Sequence, residues 1–315
     1  MNDLILFVCT RDDRLLRLKG DGARWSTEQV LAGVSAQCVA AAGDRVLVGT
    51  QGQGALLSGD AGATWERVAL PERDVMSVAI SPADGALYAG TEPSRLFVSR
   101  AGGPWDELEA LQAIPSRDRW SFPPRPWTHH VRWIAPDPHH AERLLVGIEL
   151  GGLMYSADGG ATFSDHRPGA KLDSHSLAWH PRVEGVAYQA AGDGAAGTRD
   201  GGLTWEAFDA GRELHYCWAL AVEPADPERW YVSAASGPGA AHRRTGARGR
   251  LYCWEGRWRA LALAENSMPY ALIASDDQLI AGMAGGELLR SGDGGASWER
   301  IGDGVGSVLA MAASR

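Results

Sequence analysis

An aromatic residue beside a glycine-rich turn recurs along the whole chain at a nearly constant interval. The seven positions are Trp25, Trp65, Trp105, Phe163, Trp205, Trp258 and Trp298. The spacings between them are 40, 40, 58, 42, 53 and 40 residues, so the two long ones are the same unit carrying an insertion. A period of this length is typical of repeat architectures in which each repeat is one supersecondary unit.

Each unit has the pattern of four short strands. In the third unit, apolar segments at 75–80, 86–90 and 95–99 are separated by polar or glycine-rich turns, and a fourth segment begins at Trp105. Such short segments without a helical period indicate an all-β fold. Four antiparallel strands in about 40 residues are typical of a propeller blade. The sequence therefore predicts a seven-bladed β-propeller with four antiparallel strands per blade.

The two ends of the chain predict how the ring closes. The segment LILFVCT near the start of the sequence has the pattern of the second strand of a blade. The segment GSVLAMAAS at its end has the pattern of the first, innermost strand of a blade, and no second strand follows it in this sequence. We therefore expect the strand at 306–313 to pair beside the strand at 4–10, which removes the open edge of the ring. Because no linker or shift in composition divides the chain, residues 1–315 are expected to form a single domain.

Charge and composition exclude several classes of partner. The formal net charge of -9 argues against nucleic acid and against anionic membrane surfaces, both of which attract basic faces. No apolar segment approaches the roughly 18 residues of a membrane span. The segment MNDLILFVCTRDD lacks the basic start and the cleavage site of a signal peptide. The four cysteines contain no C-x-x-C pair, which argues against structural zinc. These features predict a cytoplasmic protein with reduced thiols.

One motif occurs four times in phase with the repeat. Its pattern is Ser/Thr-x-Asp-x-Gly-x-Thr/Ser-aromatic, at 58–65, 156–163, 198–205 and 291–298. A carboxylate at this position can accept hydrogen bonds from the amide groups of a turn. The motif resembles the Asp-box, or bacterial neuraminidase repeat, of sialidase-like propellers. The resemblance implies structural roles in turns between third and fourth strands, away from the active site, for Asp60, Asp158, Asp200 and Asp293.

The resemblance does not extend to sialidase chemistry. Sialidases share an arginine triad, a Phe-Arg-Ile-Pro-type motif before the first Asp-box, a Tyr–Glu pair and an aspartic acid. No such motif precedes Ser58 in this chain. We therefore predict that the protein is not a true sialidase.

Polar side chains collect where the second strand of a blade ends and where an innermost strand begins. The positions are Glu92, Glu149, His130, Arg132, His175, His215 and Tyr216. Aligned on the proline of the first turn, His130 and His175 occupy the same position on neighbouring blades. Histidine and glutamate can exchange protons with a substrate, so we expect acid–base roles for His130, His175, Glu149 and Glu92. Arginine binds anions in a bidentate manner, and we expect Arg132, His215 and Tyr216 to bind substrate.

Two insertions accompany these positions. The first, 111–128, carries Arg119, Trp120 and Trp127, which offer cations and flat apolar faces. These residues are expected to roof the pocket and bind substrate, and the alternative is a rigid loop that packs over the blade junction. The second, 236–250, is glycine-rich and basic, and it is either a lid for an anionic ligand or a disordered loop.

No cofactor is predicted apart from a weaker alternative, a divalent metal held by three histidines. These are His130, His175 and His215. The alternative is weaker because zinc needs its ligand nitrogens within about 2.1 Å of one point.

Two classes of function remain open. The first is a small-ligand pocket at the channel mouth, in a hydrolase or lyase that acts on an anionic or carbohydrate-like substrate by histidine and glutamate acid–base chemistry. The alternative is a non-catalytic scaffold for a protein partner, which the resemblance also implies, because photosystem assembly factors and sortilin-type receptors are Asp-box propellers that bind. The concentration of polar and aromatic residues on blades three to six favours the pocket. The sequence identifies neither the substrate nor whether the protein is an enzyme.

Overall fold

A computed structural model describes residues 4–20, 24–263, 266–302 and 304–314. Within these residues, 27 strands form seven antiparallel sheets arranged as the blades of a propeller. Six of these sheets have four strands, and in the fourth blade the outermost strand is reduced to a bridge between Tyr155 and Ser164. The predicted seven-bladed, all-β fold is confirmed.

The strands follow the chain blade by blade. The first three blades contain β1 (Leu4–Thr10), β2 (Arg14–Gly20) and β3 (Trp25–Ala32), then β4 (Ala36–Ala42), β5 (Arg45–Thr50), β6 (Ala55–Ser58) and β7 (Glu66–Val68), then β8 (Asp74–Ile80), β9 (Leu87–Glu92), β10 (Leu96–Ser99) and β11 (Trp105–Glu107). The fourth and fifth blades contain β12 (Val131–Pro136), β13 (Leu144–Ile148) and β14 (Gly152–Ser156), then β15 (Ser174–Trp179), β16 (Ala187–Ala191), β17 (Gly194–Thr198) and β18 (Glu206–Ala207).

The last two blades lead to the strand that ends the chain. They contain β19 (Tyr216–Val222), β20 (Arg229–Ala235), β21 (Arg250–Glu255) and β22 (Trp258–Leu261), then β23 (Pro269–Ser275), β24 (Gln278–Met283), β25 (Leu288–Ser291) and β26 (Glu299–Arg300), followed by β27 (Val308–Ser314). The described helices lie in the insertions: two 3-10 turns, Glu109–Ala113 and Arg117–Arg119, and α1 (Pro238–Ala241). None of them is long and apolar enough to cross a membrane.

The core lies between neighbouring blades. Every residue of β13 and β16 is buried, because both faces of a second strand pack against adjacent blades. At the rim, β18 has two residues and both are exposed. Burial of each large apolar side chain contributes about 1.5–3 kcal/mol, so the interblade contacts hold the strands while the loops at either end remain free to carry polar groups.

Strand β27 closes the ring as predicted. It pairs antiparallel with β1, with Leu6 opposite Ala313 and Val8 opposite Met311. The innermost strands contact one another in turn around the axis, in the order β27, β4, β8, β12, β15, β19 and β23. The first blade is therefore built from both ends of the chain, which leaves no unpaired strand edge at the joint.

The four motif turns connect a third strand to the fourth position of its blade. In the first, Asp60 Oδ1 accepts hydrogen bonds from the Ser58 hydroxyl and the Thr64 amide, both at 2.8 Å, and Oδ2 accepts from the Thr64 hydroxyl at 2.6 Å. The equivalent bonds recur at the other three aspartates, Asp158, Asp200 and Asp293. Successive loops of an antiparallel sheet lie at opposite ends of its strands. The motif turns are therefore at the end away from the loops that join second and third strands.

Candidate functional site

The innermost strand of every blade carries a β-bulge near its start. In each pairing with the second strand the register shifts by skipping one or two residues. The skipped residues are Gln37, Met76, Arg132, His175, Trp218 with Ala219, Tyr270 and Leu309. A bulge redirects its side chain out of the regular alternation. Seven bulges at one height therefore aim a ring of side chains at the mouth of the channel.

These side chains line a cavity of about 530 Å³. Six of the seven bulge positions contribute to it, together with Arg11, Glu149 and Leu150 from loops between second and third strands. The remaining lining residues come from the insertions and from three innermost-strand starts: Phe122, Pro123, Pro124, Pro238, His242, His130, Asp173 and Tyr216. A smaller cavity of about 150 Å³, which shares Arg132 and Trp218 in its lining, lies along the innermost strands.

His130 and Glu149 form a buried polar contact at the cavity wall. The His130 Nε2–H donates to Glu149 Oε2 at 3.0 Å, and Arg132 Nε lies 3.4 Å from the same oxygen. Burial raises the pKa of Glu149, but the hydrogen bond from His130 and the charges of Arg132 and His175 together lower it by more, so that the pKa is about 2. Glu149 is therefore ionised at neutral pH.

Glu92 links this contact to the first insertion. Its Oε2 lies 3.5 Å from Nδ1 of His130, and Arg125 donates to its two oxygens at 2.8 and 2.6 Å. The Arg125 guanidinium also lies over the Phe122 ring, 4.7 Å from its centroid, and Phe122 packs edge-on against His130. The ion pair thus fastens the insertion to the third blade and places Phe122 in the cavity wall.

His175 is fully buried behind the cavity. Its Nδ1 lies 2.6 Å from the carbonyl oxygen of Cys217, so this nitrogen donates. Its Nε2 faces Asp173 Oδ1 at 3.6 Å, Glu149 Oε1 at 4.0 Å and the Tyr216 hydroxyl at 3.4 Å. Burial lowers the pKa of His175 to about 4. Burial, and then the charge of Glu149, raises the pKa of Asp173 to about 7.

Another part of the cavity wall is aromatic. The Trp218 ring packs against His175 at 4.5 Å and against Tyr270 at 4.9 Å, centroid to centroid. The Arg132 guanidinium lies 4.7 Å from the Trp218 centroid, and that of Arg11 lies 5.3 Å from the Tyr270 centroid. Cations over ring faces attract the ring quadrupole. The cavity therefore offers flat apolar faces beside guanidinium groups.

The second insertion packs over the same cavity. Ala241 and Ala247 are buried, and the Gly246 amide donates to the Asn266 carbonyl at 2.9 Å. His242 Nδ1 lies 2.6 Å from the Tyr270 hydroxyl. The second insertion thus contributes Pro238 and His242 to the cavity wall.

The structure brings together most of the residues that the sequence nominated and leaves four of them apart. His130, Glu149, Arg132 and Tyr216 line the cavity, while Glu92 and His175 contact this group from behind. The other four do not line it: His215 and Arg119 are exposed, Trp127 is 80% exposed, and Trp120 is buried beneath the insertion with its indole N–H bonded to Ser116. The expected roof is formed instead by Phe122, Pro123 and Pro124.

Two expectations about the histidines need correction. His130 and His175 are not equivalent, because the bulge register matches His175 with Arg132; the turn proline used for the alignment occupies different positions in the two blades. Among the described residues, His130, His175 and His215 do not form a cluster of ligand size. His215 immediately precedes Tyr216, and adjacent residues of an extended chain face opposite ways.

Sequence reasoning missed several lining residues, and some of them left a signal. Thr10, Thr50 and Thr91 each bond through the hydroxyl to the carbonyl four residues later, which shows that they are equivalent. Arg11 therefore matches Glu92 and could have been found by the same alignment. His242 and Tyr270 follow no such alignment, because their places in the wall depend on the second insertion and on the bulge of β23.

The comparisons with known proteins support the fold. No known family profile matches the chain, and no curated protein matches it in sequence. Among solved structures, the GH74 xyloglucanase from Xanthomonas campestris is 19% identical over 86% of this chain and 46% of its own, with a TM-score of 0.64. An ancestral GH74 enzyme is 15% identical over 89% of this chain and 38% of its own, with a TM-score of 0.63.

A third similar structure is a propeller of comparable length. YCF48 bound to D1 peptide is 15% identical over 89% of this chain and 86% of its own, with a TM-score of 0.64. The chain spans less than half the length of the two GH74 proteins. At these identities the likeness establishes a shared propeller architecture.

Proposed function

We propose that the cavity binds a small anionic, carbohydrate-like ligand and that the protein is a hydrolase or lyase acting on it. The observation that carries the proposal is the lining of one cavity by guanidinium groups, aromatic faces and carboxylates from five different blades. Its volume of about 530 Å³ lies in the range of small-molecule sites. We also propose that the protein is located in the cytoplasm.

The binding part rests on Arg11, Arg132 and the aromatic rings. The positive charge of Arg132 is partly compensated by the carboxylate of Glu149, 3.4 Å away. In the described part of the chain, the guanidinium of Arg11 contacts the ring of Tyr270 and no carboxylate. Arg11 is therefore the cation best placed to pair with an anionic group, since arginine binds carboxylates in a bidentate manner. The faces of Tyr216 and Trp218 suit the apolar face of a sugar ring.

The chemical part rests on the contact between His130 and Glu149. Hydrolysis and elimination both require a positioned group that moves a proton. The imidazole of His130 lies at the cavity wall between Glu149 at 3.0 Å and Glu92 at 3.5 Å, which fix its orientation. Two of the similar structures are GH74 enzymes, one of them a xyloglucanase, which supports a carbohydrate as the ligand.

The test is a comparison of anionic and neutral sugars by calorimetry. We expect galacturonate and glucuronate oligomers to bind and their neutral counterparts to bind at least about tenfold more weakly, because only the former pair with Arg11. Arg11→Gln should remove this preference, whereas His130→Gln should retain binding and abolish turnover detected by mass spectrometry. Arg199→Gln, in a motif turn at the opposite end, is the matched control. Equal affinity for both classes of sugar would contradict the proposal.

A second candidate function, peptide binding, is favoured by the likeness to YCF48 bound to D1 peptide over 86% of that chain. A peptide could place its terminal carboxylate at the same arginine. Peptides with a free and an amidated C-terminus distinguish the two functions. Binding of free-acid peptides, without binding of any sugar acid, would favour the scaffold over the enzyme.

A further inference from the structure

Three ligand atoms converge beside the cavity without touching. They are His175 Nε2, Asp173 Oδ1 and Glu149 Oε1, with distances of 3.6 Å from the first to the second and 4.0 Å from the first to the third. The three residues offer ligand atoms that all lie within 4.8 Å of one another. Hydrogen bonds to nitrogen are normally about 2.7–3.2 Å long. The gap is therefore too wide for direct contact and is of the size that one small bridging species fills.

The orientation of His175 favours a cation as that species. Its Nδ1–H donates to the Cys217 carbonyl at 2.6 Å, so in the neutral ring Nε2 carries the lone pair. That lone pair faces two carboxylates and, at 3.4 Å, the Tyr216 hydroxyl. An ionised carboxylate only accepts, so a cation between Nε2 and the two carboxylates satisfies acceptors that the single long Tyr216 contact does not. A histidine that binds a metal almost always donates its other ring N–H to a carbonyl or a carboxylate. The Cys217 contact has this form.

Glu149 is held in the same manner. Its Oε2 accepts from His130 at 3.0 Å and lies 3.4 Å from Arg132 Nε. These contacts leave Oε1 as the oxygen that faces the gap. Asp173 is positioned by its backbone amide, which donates to Asp193 at 3.2 Å. The imidazole of His175 and the carboxylate of Glu149 are thus oriented by neighbours, and the backbone of Asp173 is held by Asp193.

We propose that Glu149, Asp173 and His175 bind a divalent transition-metal ion such as Mn²⁺ or Zn²⁺. Two carboxylates and one imidazole form a mixed oxygen and nitrogen donor set, which suits Mn²⁺ or Zn²⁺ better than Ca²⁺ or Mg²⁺. Adjacent ligand atoms of an octahedral ion lie about 3 Å apart when the bonds are about 2.1 Å long. Because the three ligand atoms lie within 4.8 Å of one another, they need to close by about 2 Å or less.

The remaining positions of the ion would face the ligand cavity. Glu149 and Asp173 both line it, and three protein ligands leave places for water or for an oxygen of a bound molecule. The set differs from the three-histidine alternative, since only His175 is common to both. Metal binding does not require the sugar ligand proposed above, so the two proposals can fail separately.

The experiment uses the full chain after treatment with EDTA and dialysis. Mn²⁺ binding is measured by loss of the free-ion electron paramagnetic resonance signal and by calorimetry, without sugar, and Zn²⁺, Mg²⁺ and Ca²⁺ are compared. We expect one Mn²⁺ per chain. The near-isosteric variants Glu149→Gln and Asp173→Asn should each weaken binding at least about tenfold, since even outer partners of a metal site are worth that much. Circular dichroism and the metal-free melting temperature of each variant report whether it is folded.

The control addresses adventitious binding at the surface. His140 and Glu184 form an exposed histidine–carboxylate pair at 2.6 Å, remote from the trio. Glu184→Gln should leave the stoichiometry and the affinity unchanged. Absence of Mn²⁺ and Zn²⁺ binding to the wild-type chain would mean that water alone fills the gap and would overturn the proposal. Binding that survives in both folded trio variants, or that is lost in Glu184→Gln, would overturn it as well.

Discussion

Asp60 shows at the scale of one residue how the repeated motif stabilises its turn. Its carboxylate accepts three hydrogen bonds within seven residues of chain. The Ser58 hydroxyl, which donates one of them, also accepts from the Gly62 amide at 2.8 Å. Both side chains are satisfied within the turn, and the tertiary hydrogen bonds of the turn are made by the backbone of Ala61, to Asp44 and Arg17. This explains why the motif can be repeated in blades whose other residues differ.

These hydrogen bonds predict how stability depends on pH. The Thr64 hydrogen bonds lower the pKa of Asp60 to about 2, below the value of about 3.9 expected in the unfolded chain. The stabilisation is therefore complete above about pH 5 and is lost as the pH falls through about 4 towards 2. We expect the difference in the free energy of unfolding between wild type and Asp60→Asn to shrink from pH 7 to pH 3, as measured by urea titration.

The control for this prediction is Ser26→Ala, an exposed hydroxyl with a long hydrogen bond of 3.4 Å to Lys19. Its effect on the free energy of unfolding should be small and the same at both pH values. A constant difference for Asp60→Asn between pH 7 and pH 3 would show that the charge of the carboxylate does not stabilise the turn.

At the scale of elements, a hydrogen bond between His242 and Tyr270 joins the second insertion to the seventh blade. The Tyr270 hydroxyl lies 2.6 Å from His242 Nδ1, and Tyr270 is the bulged residue of β23. Arg243 and Arg244, which follow at once, are exposed. The bulge thus sets both the shape of the cavity wall and the position of the loop that covers it.

Loss of this contact should open the loop. We expect Tyr270→Phe to raise the rate of trypsin cleavage after Arg243 and Arg244 about fivefold, which corresponds to the roughly 1 kcal/mol of a lost hydrogen bond. Peptide mass spectrometry locates the cuts. Tyr188→Phe, which removes a hydroxyl bonded to the Pro227 carbonyl, is the matched control. If both variants are cut at the wild-type rate, the Tyr270 hydroxyl does not hold the loop.

At the scale of the whole molecule, closure depends on the last strand of the chain. β27 supplies the innermost strand of the first blade and contacts β4 and β23 on either side. Val308, at its start, is fully buried. Without this strand, β1 would present an open edge to the channel.

Truncation tests this dependence. We expect removal of residues 306–315 to lower the melting temperature by at least about 10 °C. The packing energy lost is several kcal/mol, and each kcal/mol lowers the melting temperature by a few degrees. A synthetic peptide of the same residues should restore part of the stability, whereas a scrambled peptide should not. A truncated chain that melts cooperatively at the wild-type temperature would show that the ring does not depend on the closing strand.

The sequence by itself determined the number of blades, their four-stranded pattern and the joint between the two ends. These features are local and repeated: the interval between aromatics, the short apolar segments and the motif around Asp60 can each be read without knowing what lies across the ring. The loops between second and third strands could also be aligned, which is why Glu92 and Glu149 were found.

Only the tertiary structure decided which polar side chains meet. The bulges shift each innermost strand by a residue, so Arg132 rather than His130 matches His175. Adjacent residues then face opposite ways, and this placed Tyr216 in the cavity and left His215 outside. The insertion that carries Trp127 turned Phe122 inward instead. A shift of one residue changes the face of every side chain in a strand, and its size depends on contacts between strands that the sequence of one strand does not contain.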